Sequence, residues 1–241
     1  MSFSIKRVRA LTIKEFKSFT KNSNVLLMSL LPILFSILYT YIYGGKAEDV
    51  PKTDIFMLCL NMNLSMVASF VIGMLIAEEK EKNTLRTLLL SGVSSMEFLT
   101  GKVTVTLLIT VITNIIMFFI TGMETQYLGW FLFFSLLVII SMIIIGAIIG
   151  MISPSQMSTG VIGLPVIMLF LLIPMLAEYN DNLKKVAKFT PNYNMNLLLK
   201  QTFKGEALSS ADLPALATIA VWIVLTAILF AFTYSKIGID K

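Results

Sequence analysis

The chain has 241 residues, of which 56% are hydrophobic and only 14% charged, with a mean hydropathy of +0.85 and a formal net charge of +5. Soluble domains carry about 25% charged residues, so this composition leaves too little polar surface to cover a water-soluble core and reads as a polytopic membrane protein. There is no histidine, which excludes imidazole acid–base catalysis, histidine metal ligation and Ser-His-Asp hydrolysis. The basic surplus is expected beside anionic lipid rather than on nucleic acid.

Residues 3–21 come first. Val8, Leu11, Phe16 and Phe19 fall close to one helical face, with Lys6, Arg7, Arg9, Lys14, Lys17 and Lys21 around the rest. That pattern describes a helix lying in the membrane interface, against the plainer reading of a basic juxtamembrane tail. The segment lacks the apolar h-region and cleavage site of a secretory signal. Six spans are predicted near 25–43, 55–77, 103–121, 127–151, 157–176 and 214–234, each long enough to cross a hydrocarbon core of about 30 Å. The fold class is therefore all-helical, a single domain with six transmembrane helices. The lone Cys59 has no intrachain partner and reads as a packed thiol.

In span two, Asn61, Ser65 and Ser69 recur every fourth residue, with Asn63 beside them; in span three Thr106, Thr110 and Asn114 do the same. These residues read either as interhelical hydrogen-bonding groups or as the lining of a transport path. Span four is almost unbroken aliphatic and aromatic residue, anchored by Tyr127 and Trp130. Its Gly146-x-x-x-Gly150 is a close-packing pattern, given little weight because such patterns are frequent. Gly160, Gly163, Pro165 and Pro174 predict a kink or local unwinding in span five. The segment 177–213 is too long for a turn and too apolar for a solvated loop. It predicts one or two short helices re-entering the outer leaflet, with Pro191, Tyr193 and Phe203 within them.

Six spans put both termini on one side. With the N-terminus inside, 12 of the 19 Lys and Arg residues face the cytoplasm and 7 face out, so the positive-inside rule selects cytoplasmic termini. No ionisable residue lies in the middle of a predicted span, which argues against a proton- or sodium-coupled carrier.

The stretch between spans two and three concentrates charge of both signs. Glu78, Glu79, Lys80, Glu81 and Lys82 open it, acidic residues suit a helix N-terminus, and Glu78 and Lys82 stand four apart in the stabilising order. Thr84, Leu85, Leu88 and Leu89 supply an apolar face. Ser91-Gly92 closes the helix, and Ser94 with Glu97 forms a capping-box pattern for the next. By spacing alone this is either a well-capped connector or a device that receives force.

The run Glu79-Lys80-Glu81-Lys82-Asn83-Thr84-Leu85-Arg86-Thr87-Leu88-Leu89, then Ser91-Gly92-Val93-Ser94, Glu97-Phe98-Leu99 and Gly101-Lys102, resembles the signature of the type-2 ATP-binding-cassette exporter permeases. Asn83 stands where that family often has glycine, and Gly92 where proline is common. Phe189-Thr190-Pro191-Asn192-Tyr193 through Phe203-Lys204-Gly205 is similar to the family's outer helical hairpin. The resemblance implies that residues 78–91 are a coupling helix seated in a groove of a cytoplasmic ATPase. Leu85 and Leu88 would be its apolar anchors, and Glu79, Glu81 and Arg86 its polar rim. It also implies two ATPase subunits carrying ATP and magnesium, a second permease subunit, identical or homologous, and export across a bacterial plasma membrane. The chain has no phosphate-binding loop: its Gly-Lys pairs, Gly45-Lys46 and Gly101-Lys102, continue with Ala47 and Val103. The uncharged path favours amphipathic or hydrophobic cargo such as a peptide, bacteriocin, toxin or drug. A secondary carrier and a non-transporting sensor or scaffold are the alternatives, and ATP dependence of efflux separates them.

Overall fold

The computed structural model describes residues 3–43 and 50–237. Lys46 and Lys241, used in the charge count, and the Gly45-Lys46 pair lie outside the described residues. Helices α1 (Ile5–Lys21), α2 (Ser23–Tyr43) and α3 (Lys52–Asn63) come first; α3 continues through a π-helical segment (Leu64–Val71) into α4 (Ile72–Glu81). Then follow α5 (Thr84–Leu90), α6 (Ser95–Ile120), α7 (Leu128–Ile152), α8 (Gln156–Leu176), α9 (Asp181–Ala187), α10 (Pro191–Phe203) and α11 (Leu213–Ile237). No strand occurs among the described residues.

Six of these units are long and apolar enough to cross a membrane: α2, the continuous Lys52–Glu81 helix, α6, α7, α8 and α11. They match the six expected spans, with spans two and three longer at the end that carries α5. The Lys52–Glu81 helix is the hub. In its most apolar stretch 83% of residues are buried, against 17% in the last span. A helix that is apolar all round belongs inside a bundle, and one this exposed needs lipid or another subunit beside it.

The tightest packing joins the hub to α7. A Cβ built on Gly146 would stand 1.9 Å from the Ser69 carbonyl oxygen, and one on Gly150 would stand 2.7 Å from that of Gly73. The Gly146-x-x-x-Gly150 pattern therefore deserved more weight than its frequency suggests, because the π-helical segment brings backbone against backbone there. Span five shows no local unwinding: α8 is helical through Pro165 and Pro174, and a π-helical stretch lies in span two. A proline removes only one ladder bond, which a packed helix tolerates.

The segment 177–213 forms two short helices, α9 and α10. Pro191 takes the first position of α10, where its missing N–H costs nothing. Tyr193 is buried against Ala177 and Ala187. Phe203 meets Phe56 and Tyr127 at ring-centroid distances of 5.9 and 5.6 Å, at one end of an aromatic cluster with Phe118 and Phe131. Trp222 Nε1 donates to the Phe189 carbonyl at 2.5 Å, fastening α11 to the same hairpin.

Candidate functional site

Residues 78–81 do not begin the loop helix. They are the last turn of α4, and the chain breaks at Lys82-Asn83, where Asn83 adopts a left-handed conformation (φ +54°). Asparagine is among the few non-glycine residues that accept this region. Gly92 has φ +88°, which proline's ring forbids, so the turn after α5 is a glycine turn. Beyond it the capping box forms as expected: Ser94 Oγ accepts from Glu97 N at 3.3 Å, and Ser94 N donates to a Glu97 carboxylate oxygen at 2.9 Å.

Acidic residues in a last helical turn oppose the macrodipole, so Glu78 and Glu79 need cations. Glu79 receives hydrogen bonds from Lys14 of α1 and from the Thr84 hydroxyl that opens α5, and Lys102 Nζ of α6 stands 3.5 Å from it. Lys102 also reaches Glu15 at 2.6 Å, with both side chains only 1% exposed, and Lys14 closes the ring to Glu15 at 3.2 Å. Burial lowers the Lys14 pKa, but the hydrogen bonds and charges of Glu79 and Glu15 outweigh it and hold it above the ordinary lysine value. The bond to Glu78 similarly raises that of Lys82. Both ammonium groups thus stay charged well above neutral pH.

The neighbouring residues fasten different elements. Glu78 accepts from Asn22 Nδ2, at the α1–α2 junction, at 2.8 Å, and from Lys82. Lys80 Nζ donates to the carbonyls of Met151 and Ser153, at the C-terminal end of α7, at 2.7 and 2.8 Å. A Glu81 carboxylate oxygen accepts from the backbone N–H of Gln156, the first residue of α8, at 2.9 Å. A cation on a helix C-terminus and an anion on a helix N-terminus both follow the macrodipole. Four consecutive residues at the root of α5 therefore bond to α1, α6, α7, α8 and the α1–α2 junction. Glu97 adds a further tie, accepting from Ser4 N at 2.6 Å and from Arg7 at 2.9–3.1 Å.

This geometry turns three of the residues toward the bundle. Glu79 is buried, so its carboxylate serves the bundle and not an exposed rim. Leu85 is 8% exposed and joins the hydrophobic core, and Leu88 packs against that core. Outward on α5 stand Arg86, Thr87 and Leu90, the last 81% exposed. A helical wheel holds the signal: Leu85, Leu88 and Leu89 share a face and Leu90 leaves it. On α1 the buried stripe is Leu11, Glu15 and Phe19, while Phe16 is half exposed. A Cβ on Gly101 would meet Leu11 at 3.1 Å, so the stripe seats against α6. Glu15 has no sequence signal, because its partner Lys102 is 87 residues away.

The polar residues of spans two and three separate into two sets. Asn63 Nδ2 donates to the Thr110 carbonyl at 3.1 Å and to Asn114 Oδ1 at 2.7 Å, and Thr113 Oγ1 donates to Asn63 Oδ1 at 3.0 Å. That is a bridge between helices. Ser65, Ser69 and Thr106 are fully buried, and their hydroxyl oxygens find no partner among the described residues. Asn61 Nδ2 donates to the Met57 carbonyl at 2.8 Å and its oxygen is unpaired.

Fold and site together define the membrane subunit of a transport machine: a bundle of apolar spanning helices with one short solvent-facing helix bolted to its base. A family model described as ABC-2 family transporter protein matches residues 53–234, from the start of span two to the end of span six. The chain belongs to that family. It is a permease subunit of an ABC transporter, a class that works with ABC ATPase subunits. A search of curated proteins finds no match.

Proposed function

We propose that the chain is the permease of an ATP-driven exporter whose force enters through α5. The observation that carries this reading is the root of α5. A push on that helix would pass to Glu79 through Thr84, and from residues 78–81 to α6, α7, α8 and the α1–α2 junction through direct hydrogen bonds and ion pairs. Arg86, Thr87 and Leu90 offer the contact face, an apolar residue beside polar ones as docking surfaces require. Two cytoplasmic ATPase subunits would supply ATP and magnesium. A second permease, identical or homologous, would cover the exposed spans. Cytoplasmic termini follow from the lysine and arginine distribution, and a bacterial plasma membrane and amphipathic or hydrophobic cargo from the resemblance and the uncharged spans.

The test is co-purification of the full chain with its cognate ATPase. A double variant, Arg86→Glu with Leu90→Asp, should lose the ATPase and ATP-dependent efflux while keeping its melting temperature. Unchanged association would overturn the docking face. Labelling of Lys82 by an impermeant amine reagent from outside intact cells would overturn the orientation, and with it the motor.

A further inference from the structure

At the end of the bundle opposite α5, a cavity of about 430 Å³ lies between α2, α3, α8 and α10. That volume is within the range of small-ligand sites, about 300–1,000 Å³. Three features of its wall point the same way. Two side-chain carbonyl oxygens, Asn61 Oδ1 and Asn196 Oδ1, have no donor among the described residues. Asn61 is 3% exposed, and its amide nitrogen is committed to the Met57 carbonyl, so the group left over is an acceptor. A buried acceptor without a donor costs about 1–3 kcal/mol, and a ligand or water that supplies the donor recovers it.

The second feature is charge. Asp54 and Glu178 share one cation, Lys200, which stands 3.1 Å from Asp54 and also bonds Glu178. Among the described lining residues this leaves one negative charge in excess. Third, Tyr39 and Tyr43 line the cavity with stacked rings, 6.1 Å apart at 22°, and tyrosine faces attract cations. The remaining lining is largely aliphatic and sulfur-bearing, as at Leu171 and Met175. The wall thus wants hydrogen-bond donors and positive charge at one place and apolar surface beside it.

We propose that this cavity binds the ammonium head of a cationic amphiphile, a primary amine carried on an apolar body, and that such molecules are the class of cargo. The word cargo rests on the transport reading; the binding does not. The probe is dansylcadaverine, a fluorescent primary amine, titrated against the full chain in neutral phosphatidylcholine nanodiscs without the ATPase, with empty nanodiscs subtracted. The control is dansyl-6-aminohexanoate, which carries a carboxylate on a similar body. Saturable binding of the amine and not of the carboxylate is expected. Asn61→Leu and Glu178→Gln should each weaken amine binding by about tenfold, and Glu178→Lys should turn the preference toward the carboxylate. Glu178 is half exposed, so its variants stay informative where Asn61→Leu fails to fold. The proposal is overturned if the amine shows no saturable binding, if the two probes bind alike, or if the Glu178 variants bind as the wild type does; any of these would leave a water-filled vestibule. Lost amine binding with intact ATPase association removes this site and spares the transport reading, and the converse result spares the site.

Discussion

The two ends of the bundle are built on opposite plans. At the α5 end, buried charges are paired and helix termini are tied by directional bonds: Lys102 between Glu15 and Glu79, Lys80 on the end of α7, Glu81 on the start of α8. At the other end, a ring cluster of Phe56, Phe118, Phe131 and Phe203 packs α10 against its neighbours, and the ion pairs there, Lys200 with Asp54 and Glu178, are part-exposed and not buried. Beside it, a cavity leaves two amide oxygens unpaired. Ring pairs tolerate several arrangements, stacked or edge-to-face, at small cost, whereas an ion pair in a dry site needs good geometry. One end is suited to transmit displacement without loss, the other to change shape.

The sharpest way to break this contrast is Lys102→Met. It leaves Lys14 as the one cation bonded to both buried carboxylates, Glu15 and Glu79, and should destabilise the protein by about 3 kcal/mol, read as a large drop in melting temperature in detergent. A mild effect would mean that the network is slack. Gly146→Val, between the two ends, should cost about 3 kcal/mol, because its side chain would enter the space of the Ser69 carbonyl; size-exclusion profiles would show aggregated protein. Lys80→Met should cost about 1–2 kcal/mol by exposing the last carbonyls of α7 to no donor, and should weaken the coupling of ATP hydrolysis to efflux more than it weakens ATPase association. At the far end, Asn61→Leu should leave the melting temperature nearly unchanged, since it removes an acceptor that has no donor. If it melted as low as Lys102→Met, the two ends would be alike and the contrast would fail.

Much of the architecture was legible because it depends on local pattern. Six apolar runs, the basic amphipathic α1, the short helices of 177–213 and the Ser94–Glu97 capping box all declare themselves through composition, period or a three-residue spacing. The site was legible only in outline. Charge at 78–82 marked the place, but whether Glu79 faced a partner or the bundle depended on Lys14 and Lys102, 65 and 23 residues away. The acidic residues looked like a helix start because the rule reads only neighbours in sequence; span two in fact runs four residues past its expected end, and the break falls at Asn83. In span five the prolines suggested a weakness that packing absorbs.

By itself, the amino-acid sequence determined that this chain lives in a membrane as six helices, because twenty apolar residues in a row have no other stable environment than lipid or a helical bundle. It also determined the turn after α5, where the left-handed position falls on Gly92. The tertiary structure alone decided which charges are buried together, which leucine of α5 faces outward, and that Asn61 and Asn196 open on one cavity. Those outcomes depend on Coulomb and hydrogen-bond contacts between residues tens of positions apart, which exist only once the helices have packed.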